Sequence, residues 1–205
     1  MLTFAETNVF AVTFVTALMC PRNWSRKMEH RPKNVSPFSN EARNTYVLEH
    51  VTTSMLRLLQ EKPLEEISVS ELCDDAGVGR TSYYRNFQSK EDIIRKYIRK
   101  LINEWSRAYE VEGDGSNAKL FGSFFQYLKD HADFFLLLKR RGLMHLFLEV
   151  FIEENGASPE DDNMGAYTKA FVAYGTYGWI EEWIARGMQE SAETMASLLS
   201  AHGMQ

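Results

Sequence analysis

The stretch from Ser68 to Ile93, SVSELCDDAGVGRTSYYRNFQSKEDI, restricts the fold more than any other part of this chain. It holds two short helices, a glycine turn between them and the start of a third helix, with no room for strand alternation. Ser68 opens an S-x-x-E capping box, in which its hydroxyl takes the amide near Glu71 while that carboxylate reaches back. The helix it starts ends after two turns, because Ala76-Gly77 follows. Gly77 supplies the positive φ that a tight helix-to-helix turn needs, and Val78 drops an apolar side chain into the angle between the helices. Arg80 to Asn86 forms the second short helix. Ser89-Lys90-Glu91-Asp92 then announces a longer one, by a cap serine with acids in the first turn.

Helical periodicity continues on both sides, and β-branched alternation of the strand kind is nearly absent. A first helix is predicted from about Glu41 to Gln60, with Val47, Leu48, Val51, Met55, Leu58 and Leu59 on one stripe, Ser39 or Asn40 as its cap and Lys62-Pro63 as its stop. The helix after Ser89 carries Ile93, Ile94, Tyr97, Ile98, Leu101, Ile102 and Trp105 up to about Glu110, where the loop EGDGSN follows. Beyond it, helices are predicted near 118–130, 133–140, 143–154, 163–187 and 191–202. The helix near 163–187 has apolar residues around much of its circumference, as a helix buried on more than one side would. The fold class is therefore all-α, with about nine helices: an N-terminal extension over 1–39, a helix-turn-helix module over 40–92 and a helical body over 93–205.

Composition narrows the function. The chain has 205 residues, 44% of them apolar and 25% charged, with thirteen phenylalanines, which fits a folded domain with a sizeable core. The net charge of −5 hides a division: Arg22 to Glu110 holds 16 Lys and Arg against 13 Asp and Glu, whereas Val111 to Gln205 holds 7 against 14. A basic first half and an acidic second half suit a protein of which one end meets a polyanion. Two cysteines, Cys20 and Cys73, give neither a disulfide framework nor a metal spacing, and Cys73 falls among apolar helix positions. The motif set offers no nucleophile elbow, phosphate loop or metal-ligand spacing, so no enzyme, metal or cofactor is implied, and Glu153-Glu154 and Asp161-Asp162 read as solvated charge at helix ends. The apolar run Val9 to Cys20 is too short and too Thr-rich to span a bilayer and lacks a preceding cation, so no membrane association follows and a reducing cytoplasm fits best.

The two short helices around Gly77 match a helix-turn-helix, whose second helix lies in the DNA major groove. Arg80 is placed to donate to guanine in bidentate fashion, Thr81 and Ser82 to meet base edges or phosphates, and Tyr84, Arg85 and Lys90 to meet phosphate oxygens. Leu72, Val78, Tyr83 and Phe87 supply the packing that so lean a helix needs. Arg95, Lys96, Arg99 and Lys100 either extend the electrostatic footprint or form a solvated face. Arg26, Lys27, Arg31 and Lys33 form either a minor-groove arm or a plain tail.

In this ordered set, LCDDAGVGRTSYYRNFQSKEDI after an apolar first helix, the chain resembles the TetR family of bacterial transcriptional regulators over roughly residues 40–100. The resemblance implies that Ser68 touches phosphate, that Ser70 reaches a base, that Arg80, Thr81 and Ser82 form the reading face, and that Tyr84 and Lys90 are the family's phosphate-binding tyrosine and lysine. Gly79 departs from the usual cap Ser or Thr, and Asn86 from the usual His. Repression of transcription, often relieved by a small molecule, is the family's common habit.

A single helix-turn-helix reads few base pairs, so a two-fold homodimer on palindromic double-stranded DNA is the geometric expectation. Similar proteins pair their last two helices, where Phe171, Tyr174, Gly175, Gly178, Trp179 and Trp183 offer small and aromatic residues. The aromatics between Trp105 and Phe151 wall a pocket for a small hydrophobic or aromatic effector or else fill a core; Trp105, Tyr109, Phe125, Tyr127, Phe135 and His145 are the candidate lining. If an effector binds, the helix from Lys90 to Glu110 is the lever between pocket and DNA. The alternative to a DNA-binding regulator is an adaptor or coactivator that keeps this fold and acts through protein contacts. Met28 begins a polar leader, MEHRPKNVSPFSN, and residues 1–27 read as an over-extended reading frame. Mass spectrometry of the native N-terminus is accordingly expected to find no peptide upstream of Met28; one such peptide overturns that reading.

Overall fold

The computed structural model describes residues 40–112 and 117–202. The expectations for Ser39, for the basic arm between Arg26 and Lys33, for Cys20 and for the start at Met28 lie outside the described residues. Among the described residues the regular structure is entirely helical: α1 (Asn40–Glu61), α2 (Val69–Ala76), α3 (Arg80–Asn86), α4 (Lys90–Glu112), α5 (Asn117–Asp130), α6 (Ala132–Arg140), α7 (Met144–Asn155), α8 (Asn163–Ala185) and α9 (Ala192–His202), with a 3-10 turn at Leu64–Glu66. The expected boundaries hold to within two residues. The end of α8 comes earlier than expected because the chain turns left-handed at Gly187 and Met188, with φ of 80° and 53°. There the Met188 amide closes on the Trp183 carbonyl at 2.8 Å, a helix-ending bond that the continuing apolar pattern conceals.

α1 is the wall that the module shares. Val47, Val51, Met55, Leu58 and Leu59 are buried along it and meet α2, α3 and α4, while its C-terminal end meets α6. Leu48, expected on this stripe, is turned outward and more than a third exposed. α4 is continuous through residue 92, where the module and body were divided, so one rigid rod belongs to both. Its early turns lie on α1 and its later ones on α5 and α7. In the body α5 packs on α9, α6 on α8, and α7 on α8. The interior is a run of touching rings, from Trp105 and Phe124 through Phe151 and Phe147 to Phe135 and Phe134, with neighbouring centroids 4.7 to 6.3 Å apart.

Two sets of polar contacts brace the body, one against the module and one against α4, the helix that both share. Arg141, just past the end of α6, donates from Nε to the Leu59 carbonyl at 2.6 Å and from its terminal nitrogen to the Gln60 carbonyl at 2.9 Å. Arg140 reaches the Gln60 side chain at 2.6 Å. These carbonyls end α1 and have no later amide to accept from, so a guanidinium there satisfies orphan acceptors and opposes the helix dipole. The second connection is a ladder on the surface: Arg95 pairs with Glu149 at 2.7 Å, and Arg99 pairs with Glu153 and, at 3.6 Å, Glu154. Exposed pairs of this kind contribute little each, whereas charged hydrogen bonds to helix-end carbonyls contribute more. Arg141→Ala is expected to lower unfolding free energy by about 1.5–3 kcal/mol and Arg95→Ala by less than about 1 kcal/mol, as read from urea midpoints; equal losses would refute the ranking.

Candidate nucleic-acid interface

The turn between α2 and α3 forms as its residues dictate. Ser68 caps α2, its hydroxyl accepting the Glu71 amide at 3.1 Å. The Glu71 carboxylate pairs with Lys62 at 2.5 Å and also takes a backbone hydrogen bond from Ser68, the return half of the expected capping box. That pairing holds Glu71 below its ordinary carboxylate value. Gly77 ends α2 at φ 62°, and the Val78 amide reaches back to the Cys73 carbonyl at 3.0 Å. Cys73 is buried and its thiol is pushed up by desolvation. Arg57 of α1 grips Asp75 of α2, which also takes a hydrogen bond from Ser54; the two together hold Asp75 below the usual range.

α3 sends one side inward and the rest outward. Tyr83 and the capping Phe87 are 1% and 2% exposed, packed ring to ring at 5.6 Å. Burial drives the Tyr83 phenol up to about 12, and its hydroxyl has no hydrogen-bond partner among the described residues. Arg80, Thr81, Tyr84 and Arg85 face out, Tyr84 at 65% exposure, and α3 contains no acid. Arg80 donates to the Ser70 hydroxyl at 2.7 Å, so a residue of α2 steadies the arginine without neutralising it. Ser82 is half-buried, and its carbonyl accepts from Asn86 at 2.8 Å.

Lys90 is placed differently from the other expected contacts. Its ammonium donates to the carbonyls of Leu64 at 2.6 Å and Ile67 at 2.7 Å, and Glu65 lies at 3.5 Å, so it points into the approach to α2. Lys96 also turns inward. It binds the Asn86 carbonyl at the end of α3 and Asp92 at 2.8 Å, above the Phe87 ring. Two lysines of α4 thus clamp the module, one at the entry to α2 and one at the exit from α3. With Arg95 and Arg99 tied to α7 and Lys100 near Glu104 at 3.8 Å, the basic run of α4 is a paired face. The carbonyl contacts that make the two clamps have no local signal, whereas the Asp92–Lys96 pair has the ordinary i,i+4 spacing.

The candidate effector residues are brought together only in part. Trp105 stacks on Tyr109 and donates to Ser123 at 3.1 Å; Phe125 meets Trp183 edge-on; Phe135 lies between Phe134 and Phe147. Tyr127 lies apart from these rings, its hydroxyl on Glu104 at 3.2 Å and its phenol pushed up by burial and that carboxylate. His145 does not join them. It is exposed on the outer side of the first turn of α7, with Nδ1 3.2 Å from the Gly142 carbonyl. Of the candidate dimer residues, Phe171 and Tyr174 are exposed at 74% and 56%, Gly175 and Gly178 are exposed and Trp179 is half-buried. Trp183 belongs to its own core, 2% exposed against Phe125 and beneath the Lys129 ammonium, because it lies about a third of a turn round α8 from Phe171. A cavity of about 440 Å³ lies beside it between α8 and α9. Glu153, Glu154 and Asp161, read as solvated, are paired with Arg99 and Lys169, and Asp162 caps α8. Among the described residues there is no cluster able to hold a metal ion and no helix long and apolar enough to cross a membrane.

Comparison with known proteins finds matches over two separate stretches of the chain. Residues 54–97 match the family model of bacterial regulatory proteins, tetR family, and residues 118–202 match that of a transcriptional regulator C-terminal region. Over 54 residues the chain is 34% identical to the HTH-type transcriptional regulator EthR of Mycobacterium tuberculosis and to that of Mycobacterium bovis. The alignment covers 26% of this chain and 25% of theirs, so the chain spans about a quarter of the length of the curated relatives it matches. The crystal structure of Lin0861 from Listeria innocua superposes with a TM-score of 0.65 at 16% identity, over 86% of this chain and 97% of that one, a likeness of fold.

The turn geometry separates two glycines. Gly77 has a positive φ, whereas Gly79 caps α3 at φ −66° with open space where a Cβ would stand. Gly77→Ala is expected to cost about 1–2 kcal/mol and Gly79→Ser to add a few tenths, measured by chemical unfolding; a Gly79→Ser loss as large as that of Gly77→Ala would contradict the geometry.

Proposed function

Since the chain belongs to the TetR family of bacterial transcriptional regulators, we propose that it binds double-stranded DNA sequence-specifically through α3 and controls transcription as a homodimer on a palindromic operator. The observation that carries this reading is the outward side of α3: two arginines, a threonine and a tyrosine, with no acid among them, on a helix whose inward side is pinned by Tyr83 and Phe87. Arg80, steadied by Ser70, keeps further N–H groups to donate to a guanine edge. Tyr84 and Arg85 suit phosphate oxygens, and Ser68 and Ser70 bring the start of α2 to the backbone. Lys90 and Lys96 act in this reading by positioning, holding α2 and α3 at a fixed angle.

A pair of such helices related by a two-fold axis reads two half-sites about one helical turn apart, which makes a palindrome the natural target. Occupying it would keep polymerase away, so the regulator acts as a repressor in the cytoplasm of a bacterial cell. A small apolar or aromatic effector that prefers a different spacing of the two α3 helices would weaken DNA binding by the factor that DNA weakens its own. α4 is the part able to carry such a change, since it touches both α1 and the ring-filled interior.

Selection of random duplexes by the purified protein tests the reading. A palindrome is expected, bound more weakly as salt rises. Arg80→Ala should cost about 1–3 kcal/mol and relax one position of each half-site, while Tyr84→Phe should weaken binding evenly across sequences. Recovery of nothing above background at either low or moderate salt would overturn it in favour of an adaptor.

A further inference from the structure

The cavity of about 440 Å³ between α8 and α9 lies apart from the touching rings of the interior, and its size suits a small organic molecule. Its floor is buried and apolar: Trp183 is 2% exposed and Met195 6%, and Phe125 of α5 meets the indole edge-on at 5.4 Å. Trp179, half-buried, and Leu198 form walls. At Gly178 the wall is open, since a Cβ there would meet nothing within 4 Å. The mouth is charged but balanced. Glu182 and Arg186 pair at 2.7 Å, and the Lys129 ammonium donates to the Glu190 carbonyl at 2.8 Å, so each acidic residue at the mouth has a cation in contact. Two features here are not explained by packing within the chain. The Trp183 indole N–H is buried with no hydrogen-bond partner among the described residues, a costly state for a donor removed from water. The turn that sets the angle between α8 and α9 holds Met188 at φ 53°, a region that a bulky residue disfavours. Strain of this kind gathers at ligand sites.

Resting on the effector part of the regulator reading, we propose that this cavity, and not the ring-filled interior, takes the effector, and that the effector is a flat, uncharged aromatic molecule bearing an oxygen acceptor. The indoles of Trp179 and Trp183, with the Met195 thioether and Leu198, offer a flat ring the contacts it prefers. In the interior the corresponding rings already fill the space against one another, at centroid distances of 4.7 to 6.3 Å. A charged ligand would give up its water to meet a mouth whose charges are matched, and would gain no net attraction in return. An oxygen at the leading edge of the ligand supplies the acceptor that the Trp183 indole lacks. Trp183 is so deeply buried that only this edge reaches it. A ligand seated there bears on α5 through the Phe125 and Lys129 contacts of Trp183. α5 in turn is tied to α4, by Trp105 on Ser123 at 3.1 Å and by Tyr127 on Glu104 at 3.2 Å. The cavity thus has a route to the module that does not require the interior to open.

The indole N–H resonances of the full chain with isotope-labelled tryptophan, assigned by Trp179→Phe and Trp183→Phe, read the site, and light scattering of the same samples gives the number of chains. The probes are acetylnaphthalene, ethylnaphthalene, which lacks the oxygen, the anion naphthoate and the cation naphthylmethylammonium. Acetylnaphthalene should shift Trp179 and Trp183 and leave Trp105 in place. Both neutral probes should shift Trp179, whereas only the ketone should move the Trp183 N–H proton downfield, the sign of a new hydrogen bond. Either ion should bind about tenfold more weakly than the ketone, or worse. Gly178→Leu, which fills the open wall, should abolish the shifts without lowering the urea midpoint. Shifts at Trp105 without Trp179 and Trp183, or no shift at any indole, overturn the site. Binding of either ion as tight as that of the ketone, or a Trp183 proton that the ketone leaves unmoved, overturns the ligand class. Shifts confined to samples that scatter as monomers give the cavity to a partner chain and overturn the site as well. No DNA enters these measurements, so their failure leaves the duplex-binding reading standing, while a failed duplex selection removes that reading and leaves the measured ligand binding in place.

Discussion

A seven-residue helix has no stability of its own in water, and the fold is arranged around giving one to α3. Only Tyr83 and Phe87 are committed inward, so almost the whole remaining surface of the helix is available for polar work. The missing stability is lent from three directions. Gly77 and Val78 fix the angle to α2, the apolar stripe of α1 supplies the floor, and Lys96 holds the last carbonyl of the helix from α4. An arginine held by a serine on the neighbouring helix has lost part of its rotational freedom before any DNA arrives, which lowers the ordering cost of a base contact.

The same supports join the module to the rest of the molecule. α4 runs unbroken from the first turn beside α3 to the ring-filled interior, and its lysines bind main-chain carbonyls on both sides of the helix-turn-helix. Arg140 and Arg141 add a second link, from the end of α6 to the end of α1. A shift of α6 or α4 would therefore be felt by the floor and by the clamp of the reading helix together. The surface ladder between α4 and α7 is weaker, being exposed and screened by salt, and serves to keep α4 in rotational register more than to hold the structure shut.

How much of this could be read beforehand depended on how local each cause is. The cap at Ser68, the left-handed turn at Gly77, the length of α3 and the start of α4 at Ser89 are set by residues within four positions of one another, and all appear where the pattern places them. The burial of Leu72, Val78, Tyr83 and Phe87 follows from the same spacing. What escaped was long-range or rotational. Glu71 added Lys62 to its local partner Ser68, Lys90 turned to the carbonyls of the preceding turn, and Arg141 found a helix end far away in sequence. On α8 the pattern is apolar on two sides, so periodicity alone cannot say that Phe171 and Tyr174 face out while Trp183 faces in. His145 and the aromatics show the same limit, because a ring on a helix has an identity in sequence and a direction only in the packed structure.

The central claim is that two copies of α3, held at a fixed separation, read one DNA duplex. Hydroxyl-radical footprinting of the protein on a duplex it selects, with the stoichiometry of the complex weighed alongside, tests that claim most directly. The account predicts two chains per duplex and two protected half-sites on one face, about one helical turn apart. Protection of a single half-site by one chain, or no footprint on a duplex that nevertheless co-purifies, would contradict it.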